Sequence, residues 1–176
     1  MKPGVHASPP TLRLFVALWP DPATREAIAV WQSAWQWPDR AAPEKREGLH
    51  LTLHFLGNVP AQRVAALVNG LQVPCEPFSL ELGRGEVWPN GVAVLRPDSE
   101  PPPLLALHAA LSQRVTDFGL PVDVRAFRPH ITLARRAAGA HPPPQGPHLR
   151  WQADQGHVLV CSLPGGAGYK VLARFD

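Results

Sequence analysis

Two short motifs in this chain repeat the same residue types in the same order. His50-Leu51-Thr52-Leu53 lies within the stretch LHLTLHFLG, and His130-Ile131-Thr132-Leu133 lies within RPHITLARR. The chain has only 8 histidines and five threonines, so random placement would give roughly 0.2 matches to His-x-Thr. A lone motif of this kind is ordinarily a half-exposed pair on a strand, but the repetition indicates two halves of one site.

The spacing of the two motifs determines which side chains face the same way. On a strand, alternate side chains share a face, so His50 and Thr52 project together, as do His130 and Thr132. Histidine takes both its acid and its base form near neutral pH, and two imidazoles can serve as general acid and general base. Threonine hydroxyls can stabilise the charge that develops on a phosphate. The pattern predicts in-line displacement at phosphorus, with no metal ion and no cofactor.

Other stretches also contain residues that could do chemistry, but they match known site motifs less well. His50 and His54 are four residues apart, but they lie in a strand-like stretch without an HExxH helix, which makes a metal pair the weaker interpretation. The glycines of GGAGYK at 165–170 lack the Lys-Ser/Thr ending of a phosphate loop and predict a hairpin turn.

The elements that carry the motifs alternate between strands and helices. An Asp21-Pro22 pair marks a helix start after the first strand. Short turns favour antiparallel pairing, so we predict an α+β fold with two similar lobes, each a small, mostly antiparallel sheet with helices outside. We expect residues 1–10 to form a disordered tail and 11–176 a single domain. The predicted strands are 11–19, 49–57, 78–96 in pieces, 127–134, 149–153, 156–163 and 168–175; the predicted helices follow Asp21, Pro60 and Glu100.

Composition narrows the class of protein without fixing its partner. The formal charge of +3 and the pI near 9.3 permit a phosphate or RNA ligand but do not require one. No apolar run is long enough to span a bilayer, and the first ten residues contain no signal-peptide core. The two cysteines are far apart in the sequence and predict reduced thiols. We therefore expect a cytoplasmic protein that binds no membrane, and we expect it to be a monomer.

Four stretches together resemble one known family. RLFVAL, LHLTLHFLG, FRPHITLARR and LVCSLPGGAGY occur in the order and spacing of the RNA 2′,3′-cyclic phosphodiesterases, also called the 2′-5′ RNA ligase family, within the two-histidine phosphoesterase superfamily. The resemblance runs from about residue 11 to the C-terminus. It implies a bilobal fold with pseudo-twofold symmetry and an active-site groove between the lobes.

The resemblance also implies an activity and a role for each motif residue. The expected reaction is metal-independent hydrolysis of an RNA terminal 2′,3′-cyclic phosphate to a 2′-phosphate. The reverse reaction, which gives the family its name as ligases, joins a 2′,3′-cyclic phosphate end to a 5′-hydroxyl. His50 is then the general acid for the 3′ oxygen and His130 the general base for water. Thr52 and Thr132 hold the phosphate, together with Arg135, five residues after the second histidine.

Strict strand alternation disagrees with the resemblance about one residue. Alternation would place Arg136, not Arg135, on the face of His130. Superposing the two motifs pairs Arg135 with Phe55, which breaks alternation in the same way. A bulge just after each motif leucine would turn both residues over the groove. Phe55 could then stack on the terminal base, although a simple core position is the alternative.

Two other functions remain open at this level. One is a related phosphodiesterase acting on small cyclic nucleotides or on ADP-ribose cyclic phosphate. The other is a module that binds RNA ends without turning them over. A binding module would need the arginines but not both histidines, so the intact pair of motifs favours an enzyme.

Overall fold

The computed structural model describes residues 9–176. Most of the predicted N-terminal tail, residues 1–8, lies outside the described residues. At its end, the carbonyl of Pro10 accepts a hydrogen bond from the amide of Ala61 at 2.9 Å. Within the described range, no helix is long and apolar enough to cross a membrane.

The described residues form strands and helices close to those predicted. The strands are β1 (Thr11–Leu18), β2 (Ala42–Pro43), β3 (Leu51–Pro60), β4 (Phe78–Val87), β5 (Ala93–Pro97), β6 (Ile131–Arg135), β7 (Leu149–Ala153), β8 (His157–Ser162) and β9 (Tyr169–Phe175). The α-helices are α1 (Pro22–Ser33), α2 (Val64–Gly70) and α3 (Pro102–Asp117), and short 3-10 turns span Arg46–Gly48, Ala61–Arg63 and Pro164–Gly166. The α+β class is confirmed.

The strands form one antiparallel sheet made of two halves. Its order is β7-β4-β5-β6-β3-β1-β8-β9, with β2 paired to β6. We call β3, β1, β8 and β9 the first half and β7, β4, β5 and β6 the second half. The sequence predicts two small sheets, whereas the structure joins them into one, because Leu51 of β3 pairs with Ile131 of β6. The two motif strands therefore meet at the centre of the sheet.

Each long helix follows a strand of one half of the sheet but packs against the other half. Helix α1 follows β1 but packs its tryptophans on β4, where a Cβ on Gly85 would lie 2.5 Å from Trp31. Helix α3 follows β5 but packs against β3. Asp21 caps α1 as predicted, accepting a hydrogen bond from the amide of Thr24 at 2.9 Å. The exchange of helices ties the two halves together and fixes the motif strands relative to each other.

Both motif strands contain a bulge at the leucine that follows the threonine. In β3, Leu53 is the extra residue between two register pairs with consecutive residues of β1. In β6, Leu133 is the extra residue between two pairs with consecutive residues of β5. A bulge shifts the alternation of every later side chain by one position. The two bulges are equivalent, as the superposition of the motifs predicts.

Candidate active site

A groove of about 960 Å³ runs across the centre of the sheet, on the face opposite the long helices. The six site residues predicted from the sequence all line it: His50, Thr52, Phe55, His130, Thr132 and Arg135. The first three belong to the β3 segment and the other three to the β6 segment. The fold therefore brings together residues that are 80 positions apart in sequence.

The two groove histidines are anchored to the backbone in the same way. Nδ1 of His50 lies 2.6 Å from the carbonyl of Gly48, and Nδ1 of His130 lies 2.7 Å from the carbonyl of Arg128. A carbonyl oxygen can only accept, so each Nδ1 must carry a proton. In the neutral ring, Nε2 is then the unprotonated nitrogen. Both histidines thus keep Nε2 for proton transfer, and each is held by the residue two positions earlier.

Thr52 is in contact with the free nitrogen of the first histidine. Its Oγ1 lies 3.1 Å from Nε2 of His50, so the hydroxyl donates to the neutral imidazole. Thr132 occupies the matching position on β6 and also lines the groove. A protonated His50 no longer accepts this bond, so the hydroxyl of Thr52, like that of Thr132, can then donate to a ligand that lies between the imidazoles.

The two bulges decide which later residues reach the groove. Phe55, two positions after the bulge at Leu53, is 62% exposed and lines the groove, which excludes the core position that the sequence left open. Arg135, two positions after the bulge at Leu133, lines it as well. Arg136 follows the end of β6 with a positive φ of 53° and is not among the groove residues.

A buried glutamine holds the second bulge in place. The carbonyl of Leu133 accepts from Nε2 of Gln32 and from the amide of Glu44, both at 2.7 Å. The same Gln32 amide nitrogen donates to the carbonyl of Glu44 at 3.0 Å. Gln32 is only 7% exposed, so these bonds form away from water, where leaving a carbonyl without a donor is costly. Helix α1 thereby fixes the path of β6 just before Arg135.

Three aromatic rings surround His50. Phe15 and Trp19 stack on the imidazole, with ring centroids 4.9 and 5.0 Å away, and Tyr169 meets it edge-on at 5.1 Å. Burial lowers the pKa of His50 to about 4, with smaller lowering by the charges of His130 and Arg135. The hydrogen bond to the carbonyl of Gly48 opposes this shift. In the absence of an anion, His50 is therefore neutral at pH 7.

His130 lies in a more cationic setting. The ring of Trp88 meets it edge-on at 4.5 Å. Burial lowers the pKa of His130, and the guanidinium groups of Arg128, Arg96 and Arg135 lower it further. Positive charge of this kind favours a bound phosphate.

The carboxylate of Glu44 is the one acidic group among the described groove residues. Burial raises its pKa, which the charge of Arg135 partly offsets. The hydroxyl of Tyr169 donates to it at 3.5 Å. Against this single carboxylate the groove presents the guanidiniums of Arg13, Arg125 and Arg135, so its net charge suits an anionic ligand.

His54 lies on the other face of β3 and has no access to the groove. It is 5% exposed, its Nε2 donates to the carbonyl of His108 at 2.9 Å, and the two imidazoles stack with centroids 4.2 Å apart. A metal pair of His50 and His54 is therefore contradicted, because the bulge at Leu53 leaves the two rings on opposite faces of the sheet. Across residues 9–176, no three His, Cys, Asp or Glu side chains are placed to hold a metal ion.

Several residues that shape the site were not found from the sequence. Phe15 in β1 and Trp19, the residue after its end, are four positions apart, so strand alternation predicts that both face the same side. Trp88 and Tyr169 reach the histidines only through the order of the strands. Gln32 gives no local signal, since its acceptor at Leu133 is 101 residues away.

Comparison with known proteins assigns the chain to a family. A sequence model of the 2′-5′ RNA ligase superfamily matches residues 19–160, which is most of the chain. The chain belongs to the 2′-5′ RNA ligase superfamily. Both histidine motifs fall within the matched residues.

Individual relatives agree with this assignment in sequence and in structure. The RNA 2′,3′-cyclic phosphodiesterase of Escherichia coli (strain K12) is 34% identical over 136 residues, covering 75% of this chain and 77% of the relative. The RNA 2′,3′-cyclic phosphodiesterase of Thermus thermophilus is 33% identical over 180 residues, covering 94% and 90%. The crystal structure of E. coli LigT complexed with 3′-AMP superposes with a TM-score of 0.83 at 30% identity, covering 94% of this chain and 97% of that one.

Proposed function

We propose that this superfamily member is an RNA 2′,3′-cyclic phosphodiesterase that opens the terminal cyclic phosphate to a 2′-phosphate. The observation that carries the proposal is the matched pair of imidazoles, each donating from Nδ1 to a backbone carbonyl and each keeping Nε2 for the groove. In-line displacement at phosphorus needs a base on the side of the incoming oxygen and an acid on the side of the departing oxygen. Two equivalent histidines on two adjacent strands supply both.

In this mechanism the two histidines exchange protonation states during the reaction. Nε2 of His130 removes a proton from water as its oxygen attacks phosphorus. The bond from phosphorus to the 3′ oxygen breaks, and protonated Nε2 of His50 gives that oxygen its proton. The 2′ oxygen keeps the phosphate. Thr52 and Thr132 donate to the non-bridging oxygens, where negative charge grows in the transition state.

The arginine and the phenylalanine that follow the bulges complete the binding of the RNA end. Arg135 provides a guanidinium for the phosphate oxygens, which accept its hydrogen bonds in charge-assisted pairs. Phe55 offers an exposed ring on which the terminal base stacks. The two residues occupy matching positions in the two motifs, one for the base and one for the phosphate.

Substrate binding also leads His50 to take up from solvent the proton that the mechanism needs. The pKa of His50 is about 4 in the free protein, so the imidazole is neutral at pH 7. A bound phosphate anion favours the charged imidazolium and raises this pKa. His50 must therefore become protonated as the anion binds. We expect kcat/KM to rise as the pH falls from 8 toward 6, because protonation becomes easier.

The groove geometry favours RNA over a small cyclic nucleotide as the substrate. The groove continues past the histidines on both sides, with aromatic residues at each end.

The groove is complete within one chain, which supports a monomer. Both cysteines are free, which suits the reducing cytoplasm as the place of action.

The deciding experiment is incubation with a short RNA that ends in a 2′,3′-cyclic phosphate, in excess chelator, followed by identification of the product isomer. We expect a 2′-phosphate in full yield, because side chains act as both acid and base. Activity that disappears with chelator and returns with one divalent metal would contradict the two-histidine mechanism. A product that is mainly the 3′-phosphate would contradict the assigned direction of attack.

A further inference from the structure

The groove extends beyond the catalytic histidines in two directions. On the side of the first half of the sheet it is bordered by Phe55, Arg13 and the turn at 163–168. On the side of the second half it is bordered by Trp88, Asn90 and Arg125, which we call the Trp88 end. The strand order places these two borders on opposite sides of the paired strands β3 and β6. The mechanism above uses only the first of them.

Trp88 is a fixed aromatic surface at its end of the groove. Its indole N–H donates to Oε2 of Glu86 at 3.0 Å, and the guanidinium of Arg128 lies 4.5 Å from its ring centroid. The half-buried ring meets His130 edge-on. Glu86 is also paired with Arg96 at 3.3 Å, so the carboxylate that orients the indole is itself anchored. The ring is held in place before any ligand arrives.

Asn90 adds a polar group beside this ring. It is exposed in the turn between β4 and β5, and its Oδ1 accepts from the amide of Val92 at 3.3 Å. Because the oxygen is used within the turn, the NH2 group of the side chain is left to donate outward. An aromatic surface beside an amide donor suits a nucleobase, which has a flat face and acceptor atoms on its edge.

The direction of the reaction determines what the Trp88 end would bind. The departing 3′ oxygen lies toward His50, so the ribose that carries it lies on the side of the first half of the sheet. The attacking oxygen lies opposite, toward His130. Trp88 contacts His130, and its end of the groove is therefore on the side from which the attacking oxygen arrives. In hydrolysis this oxygen belongs to water, which needs no aromatic surface.

We propose that the Trp88 end is a subsite for the nucleoside of a second RNA whose 5′-hydroxyl attacks the cyclic phosphate. The face of Trp88 opposite Arg128 stacks on its base, and Asn90 donates to the edge of that base. The new bond joins the 5′ oxygen to phosphorus while the bond from phosphorus to the 3′ oxygen breaks. The 5′-hydroxyl proton goes to Nε2 of His130, and His50 gives its proton to the 3′ oxygen. The product is a 2′-5′ phosphodiester, and no further reactant is consumed.

This inference rests on the proposed function, and the test separates the two. An RNA ending in a 2′,3′-cyclic phosphate is incubated with increasing amounts of a 5′-hydroxyl RNA, and joined product and 2′-phosphate are measured together. Both products form from the same bound cyclic phosphate with the same two histidines. Replacement of His130 therefore lowers both yields and leaves the ratio of joined product to 2′-phosphate unchanged. Loss of the acceptor subsite lowers this ratio.

The variants are Trp88→Ala, Trp88→Phe, Asn90→Ala and, at the opposite end, Phe55→Ala. We expect Trp88→Ala to lower the ratio of joined to hydrolysed product about tenfold or more, the range that stacking on an aromatic residue supplies. This loss should come through a higher KM for the acceptor. Trp88→Phe should retain most of the ratio, and Asn90→Ala should lower it less. Phe55→Ala should lower both yields together.

Each outcome has a definite meaning. A ratio unchanged in Trp88→Ala and Asn90→Ala would refute the subsite, as would an equal fall of the ratio in Phe55→Ala. A wild-type protein that hydrolyses the cyclic phosphate but joins no acceptor at any concentration would also refute it, while leaving the proposed function intact. A wild-type protein that does not open the cyclic phosphate would refute the proposed function itself.

Discussion

Replacement of Arg135 by alanine, set beside the same change at Arg136, tests the contribution of the second bulge. Both arginines are exposed at the end of β6, and they are adjacent in sequence. Only Arg135 lines the groove, because the extra residue Leu133 shifts the alternation of the strand. The two changes remove the same chemical group, so the difference between them isolates its position.

The size of the expected effect follows from the charge that Arg135 brings to the groove. Two unit charges 4 Å apart attract by about 4 kcal/mol at an effective dielectric constant of about 20. Arg135 is exposed, so solvent screening weakens this attraction. A bound phosphate that loses Arg135 also loses a hydrogen bond to a charged group, and we expect a loss of about 2–3 kcal/mol. This corresponds to a fall in kcat/KM of about 30- to 150-fold. Arg136→Ala should stay within about twofold of the wild type.

The assay is steady-state hydrolysis of a short RNA ending in a 2′,3′-cyclic phosphate, measured from pH 5 to pH 9. The charge of Arg135 lowers the pKa of both His50 and His130. Its removal should therefore raise both pKa values, so that the acid form persists to higher pH. The decline of activity with rising pH should begin at a higher pH in Arg135→Ala than in the wild type. A variant that had merely lost its fold would not show this displacement.

One pattern of results would refute the reasoning. If Arg136→Ala is inactive and Arg135→Ala is nearly normal, strict alternation holds in solution and the bulge does not direct the site. If Arg135→Ala loses activity but the pH profile stays in place, Arg135 does not act close to the two histidines. The melting temperature of both variants serves as the control for folding.

Three further outcomes are expected. His50→Ala and His130→Ala should each lower kcat by at least about 10²-fold, and the double variant should be little worse than either, since the two residues act in one step; additive losses would show that they act separately. Gln32→Met should lower the free energy of unfolding by about 1–3 kcal/mol in denaturant titrations, because buried carbonyls lose a hydrogen-bond donor. The control is Gln113→Met on an exposed helix face, which should change this free energy by no more than about 0.5 kcal/mol. The melting temperature should fall between pH 7 and pH 5, because burial lowers the pKa of His157 below its unfolded value and the unfolded chain takes up the proton; a constant melting temperature over this interval would contradict that account.

The sequence alone was sufficient to predict which motif residues line the groove and where most of the strands and helices lie. Alternation along a strand is a local property, so His50 and Thr52 could be assigned to one face without knowledge of the fold, as could His130 and Thr132. The start of α1 was predictable for the same reason, since Asp21 caps its own helix three residues away. The duplication of the motif then indicated that the two strands form one site.

Only the tertiary structure decided what lies next to these residues. Whether Arg135 or Arg136 enters the groove depends on an extra residue in β6, and that bulge is held by Gln32 from a distant helix. The rings around His50 and the contact of Trp88 with His130 likewise come from the order of strands in the sheet. A bulge, a stacking contact and a buried hydrogen bond each need two segments that are far apart in sequence. Local patterns determine which face a side chain takes, and the packing of the whole chain determines what that face meets.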